Sequence, residues 1–215
     1  MQLVKTFQNI DMYKKDNLIQ LVDTVDKSFF WELFTLKNNE ISKIINGERI
    51  IIEFEAKTCV SLKEYLEFKE YLLSYDDATT CLLDLYEQCN ELVNNNILVP
   101  FFDLQDILVI DGRFYFIQSN KIITREESPH FIYSVPFKKN NFISPEISSG
   151  SLPIKLTFAS TLYSLGSLIS YTLTNEEVTF QNKEKKLNFI YLTKLYSCLL
   201  RLLEKPLYQR IFLFG

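Results

Sequence analysis

Arg49-Ile50-Ile51-Ile52-Glu53-Phe54 gives way, after a short link, to Ser61-Leu62-Lys63-Glu64-Tyr65-Leu66, and between these two stretches the chain changes its periodicity. The first is rich in β-branched residues of the kind that half-buried strands favour. Asn46-Gly47 precedes it, the dipeptide that best tolerates the positive φ angles of a tight hairpin, so residues 41–45 and 49–54 are expected to pair. The second stretch is a capping box, in which the Ser61 hydroxyl and the Glu64 carboxylate satisfy backbone amides at a helix start. Leu62, Tyr65, Leu66, Leu72 and Leu73 supply the buried stripe that follows.

Working outward, Leu18, Val22, Val25 and Phe29 recur at helical spacing and predict a helix over residues 14–26. Residues 29–36 are aromatic and read as a strand, with Trp31 in the core. Downstream, a second helix is expected to open at Asp76 or Asp77, bury Ala78, Leu82, Leu85, Cys89 and Leu92, and end near Asn94 to Asn96. Asp111-Gly112 is a hairpin turn between strands at 107–110 and 114–117. Residues 119–150 are polar and mostly irregular, a length that a domain usually keeps for a purpose. Residues 156–173 are apolar on nearly all sides and predict a buried central helix. A last helical region, 187–203, stops before Pro206. The class is α+β, with residues 1–55 holding a helix and a short β meander, and 56–215 mainly helical.

With 215 residues, 47% of them hydrophobic and 23% charged, the chain has an ordinary globular composition and no apolar run long enough for a membrane span. Met-Gln-Leu-Val-Lys does not open a secretory signal, so an intracellular, cytoplasmic site is expected. Cys59, Cys81, Cys89 and Cys198 are scattered and His130 is the one histidine, which argues against a metal site and for buried thiols. A net charge of −4 disfavours nucleic acid as a partner. No Lys or Arg occurs between Glu70 and Asp111, so Asp76, Asp77, Asp84, Glu87 and Glu91 are expected to form an acidic surface for a basic segment of another protein.

Three further fragments, with the junction quoted above, carry a resemblance. Phe142-Ile143-Ser144-Pro145-Glu146 is similar to the Ala-Pro-Glu piece that closes the activation segment of protein kinases. Tyr163-Ser164-Leu165-Gly166, with Tyr171 downstream, resembles the Trp-Ser-Leu-Gly piece of their central helix. Pro206-Leu207-Tyr208-Gln209-Arg210 resembles their Pro-x-x-x-Arg ending, whose arginine pairs with the Ala-Pro-Glu glutamate. The strand-to-helix junction quoted above resembles the last N-lobe strand, hinge and first C-lobe helix. The resemblance covers residues 50–210 and extends to the kinase non-catalytic C-lobe domain. It implies a protein-kinase-like fold with a reduced N-lobe, a structural pair of Glu146 with Arg210, and structural roles for Pro145 and Gly166.

Phosphoryl transfer needs a glycine-rich cover, a phosphate lysine, magnesium ligands and a proton acceptor. Before Gly112 the chain has one glycine, Gly47, already used in a hairpin. Aligning Ile107-Leu108-Val109 with the apolar run after the catalytic loop puts the His-Arg-Asp positions on Val99, Pro100 and Phe101, and a phenyl ring accepts no proton. The loop asparagine falls on Asp106, which retains a carboxylate for a metal, and the Asp-Phe-Gly positions fall on Gln118, Ser119 and Asn120. An alternative register brings Asp103 nearer the base position. Thr161 stands where the kinase central helix has an aspartate, so a less rigid loop is expected. No cofactor is implied. The resulting expectation is a pseudokinase: no enzyme, but an interaction or scaffold domain. A divergent Mg-ATP-dependent phosphotransferase using Asp103 and Asp106, or a structural subunit of a larger assembly, is the alternative.

Overall fold

A computed structural model describes residues 1–7, 10–23, 42–46, 49–117, 121–125, 130–136 and 142–214. The N-terminal part is a five-stranded antiparallel sheet made of β1 (Gln2–Phe7), β2 (Ile10–Lys15), β3 (Leu18–Asp23), β4 (Ser42–Asn46) and β5 (Arg49–Glu55), in the order β1-β2-β3-β5-β4. This corrects the expected helix over 14–26 and the reduced meander. The chain instead reverses at Asp16 and Asn17, where Asp16 takes φ 56°, so that Lys15 pairs with Leu18. Ile10 and Met12 on β2, and Ile19 and Leu21 on β3, are buried at a spacing of two, the strand period. The helical spacing of Leu18 and Val22 is coincidental. The expected pairing of β4 with β5 is present, with Asn46 opposite Arg49. The expected strand at 29–36 and the core role of Trp31 lie outside the described residues.

After the sheet the chain turns to helices interleaved with short strands. β6 (Cys59–Ser61) leads into α1 (Leu62–Phe68), whose Ser61–Glu64 capping box is formed in full. The helix ends earlier than its apolar stripe suggested: Glu70 and Tyr71 have positive φ, and Leu72 turns outward while Leu73 is buried. α2 (Tyr75–Asn94) starts from Ser74, whose side chain accepts from the Asp77 amide, and it buries the predicted face. β7 (Ile97–Leu98) precedes the hairpin β8 (Ile107–Ile110) and β9 (Arg113–Phe116), which turns at Asp111 and Gly112, both at positive φ. The Asp111 carboxylate accepts from the Lys57 and Thr58 amides, which ties the turn to the link before β6. β10 (Ile123–Thr124), β11 (Phe131–Tyr133), α3 (Pro145–Ser149) and β12 (Ile154–Leu156) follow, so 119–150 carries more order than its composition suggested.

α4 (Phe158–Thr174) is the expected central helix and is buried on all sides from Ser160 to Ser170. It packs against α2 and against α6 (Lys194–Leu202), while α5 (Lys183–Lys186) lies between them in sequence. Ile19, Leu21, Ile52 and Phe54 from the sheet belong to the same apolar cluster as Ala56, Leu62, Leu108 and the α4 residues Leu165 and Ile169. One core therefore runs through both parts of the chain. Among the described residues, no helix is long and apolar enough to cross a membrane.

Gly166 sets the approach of α4 to α6. A Cβ there would lie 2.7 Å from the Cβ of Leu202, an atom that cannot swing aside. Alanine usually gains about 1 kcal/mol over glycine in a helix, but overpacking a core costs about 1–3 kcal/mol. Gly166→Ala is therefore expected to lower the urea midpoint; an unchanged or raised midpoint would contradict this close approach.

Candidate functional site

The loop between β7 and β8 holds the positions expected to do kinase-type chemistry, and the structure fills it with apolar side chains. Val99, Phe101 and Phe102 are buried. Phe101 joins Leu98, Phe131, Tyr133, Ile143 and Leu156 in a second apolar cluster and meets Tyr133 edge-on, with ring centroids 6.1 Å apart. The Phe101 ring is thus part of a core.

Two side chains of α4 tie the loop's backbone to the central helix. The Thr161 hydroxyl of α4 donates to the Val99 carbonyl at 2.5 Å, and one turn later the Ser164 hydroxyl accepts from the Phe102 amide at 2.9 Å. Two small hydroxyls at i and i+3 on the central helix therefore replace the single aspartate the resemblance implied.

Asp106 is fully buried and its carboxylate accepts from the Lys121 ammonium at 2.7 and 2.5 Å. That pairing occupies the carboxylate that was expected to remain available to a metal. Lys121 also lies 5.7 Å from the Phe101 ring centroid. Burial pushes the Asp106 carboxyl up to about 6, with Lys121 opposing the rise. Asp103 caps the short turn before β8 by accepting from the Gln105 amide. Gln118, Ser119 and Asn120 lie outside the described residues.

Arg210 carries the densest polar contacts of the site. Its guanidinium meets Glu146 in a two-point pair, with Nη1 to Oε1 at 2.7 Å and Nη2 to Oε2 at 3.0 Å. It also donates to the carbonyls of Ala159, Glu204 and Lys205 and stacks 4.8 Å over the Tyr163 ring. Burial works to raise the Glu146 carboxyl, and the hydrogen-bonded Arg210 outweighs it to hold the group below its usual value. Pro145 is the first residue of α3, where its missing N–H is no loss.

The acidic surface is smaller than its sequence. Asp84 is buried and paired with Arg113, at 3.0 and 2.5 Å, and it also accepts from the Phe114 amide. Asp77 pairs with Lys69 at 3.2 Å. Both cations lie just outside the cation-free segment and fold back onto it, which no local spacing reveals. Asp76 and Glu87 remain exposed and Glu91 half-buried. Sequence reasoning also missed Gln88, whose buried amide exchanges two hydrogen bonds with Phe116, and Lys183, buried against the Leu200 carbonyl and Glu204. All four cysteines are free and buried. A polar cavity of about 330 Å³ opens between β1 and α1, where Lys5 and Glu64 pair at 2.5 Å.

No protein-family model matches the chain. Among curated proteins it is similar to D-alanine--D-alanine ligase from Bacillus anthracis, including strains CDC 684 and A0248. The identity is 30% over 123 residues, covering 52% of this chain and 38% of the ligase.

Removing one partner of a buried two-point pair strands a charge, which costs about 3–5 kcal/mol. Glu146→Ala is expected to lower the melting temperature sharply, and a change within error would remove the pair from the fold's support. Asp106 gives a signed pH effect. Its folded carboxyl titrates near 6 against 3.8 for an ordinary one, so its contribution to stability is full below about pH 4 and is lost as pH rises through 6. Asp106→Asn is therefore expected to gain on the wild type between pH 4 and 7, by about 2–3 kcal/mol; a difference that stays flat or falls would contradict the assignment.

Proposed function

We propose that the chain is a catalytically inactive protein-kinase-like module whose work is to bind another protein. The observation that carries this reading is the state of the loop from Val99 to Asp106: an aromatic core side chain stands at the expected base position, Asp103 caps a turn, and the Asp106 carboxylate is closed by a lysine. Losing a general base alone costs on the order of 10²–10⁴ in rate. Three features support a kinase-like descent. They are the five-stranded sheet ahead of a helical part, the central helix that pins the loop, and the Glu146–Arg210 pair joining the segment before that helix to the chain's end. The continuous core shared by the sheet, Leu62 and Leu108 is compatible with this reading.

A cytoplasmic scaffold is the cellular role that fits this reading. A basic partner segment would meet the solvent-facing carboxylates of α2, Asp76, Glu87 and Glu91. The likeness to D-alanine--D-alanine ligase favours a second reading, in which the chain shares a ligase's descent.

Incubating the purified chain with radiolabelled ATP, magnesium and a mixed protein substrate is expected to transfer no label to substrate or chain. Adding D-alanine is expected to release no phosphate. Label transfer abolished by Asp106→Asn would establish the phosphotransferase alternative, and D-alanine-dependent phosphate release would establish the ligase one.

A further inference from the structure

From the groove between α6 and the C-terminal tail, we infer a docking site for an acidic segment of a partner protein that carries apolar anchor side chains. The inference deepens the reading of the chain as a binding module and rests on it. Leu192, Thr193, Lys194, Ser197, Arg201 and Leu213 line this groove, which has a volume of about 390 Å³. Its two apolar walls are unusually open: Leu192 is 82% exposed and Leu213 is 53% exposed. Phe189 and Tyr191, close by in sequence, are exposed as well. Single exposed apolar residues need no explanation, but two that line one concavity between cations mark a candidate interaction surface.

The groove is held in shape before anything binds. Phe212 stacks on Tyr86 of α2 with ring centroids 3.4 Å apart, and Phe214 stacks on Phe212. The Leu213 backbone bonds the sulfur of Cys198 on α6. Alternate tail residues thus face inward, which turns Ile211 and Leu213 outward. On the other side Leu192 takes φ 67°, a left-handed conformation that a leucine rarely adopts, and it presents its side chain to solvent. A wall fixed in advance loses little freedom on binding.

Charge selects the occupant. Lys194, Ser197 and Arg201 form the solvent face of α6 at spacings of three and four, and the ionisable side chains lining the groove are both cations. Neither Lys194 nor Arg201 forms an ion pair among the described residues, whereas the neighbouring Lys183, Lys186 and Arg210 are each paired with a glutamate. The partner that completes this surface supplies carboxylates at the α6 face and apolar side chains between Leu192 and Leu213.

The test is selection of a random displayed-peptide library on the whole chain, with counter-selection on the double variant Lys194→Glu/Arg201→Glu; both positions are exposed, so the variant folds. Enrichment of peptides combining Asp or Glu with Leu, Ile or Phe is expected. The selected peptides should bind the double variant about tenfold more weakly by fluorescence anisotropy, and Leu192→Asp likewise. No enrichment, enrichment of basic peptides, or equal binding to the double variant would overturn the assignment. Sedimentation that shows a dimer dissolved by the double variant would give the surface to a second copy and overturn it too. Phosphoryl transfer or ligase activity would instead sink the module reading and leave the peptide result standing.

Discussion

A guanidinium with no solvent access must be answered by protein groups on every side, and Arg210 imposes that demand on this fold. Glu146 supplies the charge, the carbonyls of Ala159, Glu204 and Lys205 take the remaining N–H groups, and Tyr163 covers a face. These partners come from α3, the start of α4 and the segment after α6. Satisfying one side chain therefore fixes the relative placement of three elements distant in sequence. Such a pair adds little net stability over an apolar substitute, but its geometry is specific. It makes the end of the irregular segment and the end of the helical part parts of one structure.

From that anchor the order passes along α4. Its hydroxyls hold the β7–β8 loop, its Gly166 admits α6 to close contact, and its apolar residues join the core that reaches the sheet. The loop so held is a structural part: Phe101 packs into a core, and the Asp106 carboxylate is buried with Lys121. A loop pinned by the central helix, with Phe101 in a core, Asp103 capping a turn and Asp106 paired, suits a protein that keeps an architecture for its surface.

Much of this could be read in the sequence where the determinant is local. The Ser61–Glu64 box, the Asp111-Gly112 turn and the all-round apolar character of 156–173 are each decided by nearby residues, and the structure has the box, the turn and a helix over Phe158–Thr174. The Glu146–Arg210 pair came from the kinase resemblance, since nothing in spacing links residues so far apart. The sheet was lost because Leu18 and Val22 imitate a helix, while the deciding signal was the Asp16-Asn17 turn between Ile10, Met12 and Ile19, Leu21. The acidic surface was overestimated for a related reason. Charge counted along a segment ignores Lys69 and Arg113, which arrive from its flanks.

The account stands or falls on whether the junction between the sheet and the β8 hairpin accepts a nucleotide. Titrating the isotope-labelled chain with ATP and magnesium while following backbone amide resonances from Ala56 to Ser61 and from Leu104 to Ile110 tests it most directly. Unmoved resonances at millimolar nucleotide are predicted; saturable shifts in both segments, dependent on magnesium, would contradict the claim that this site is closed.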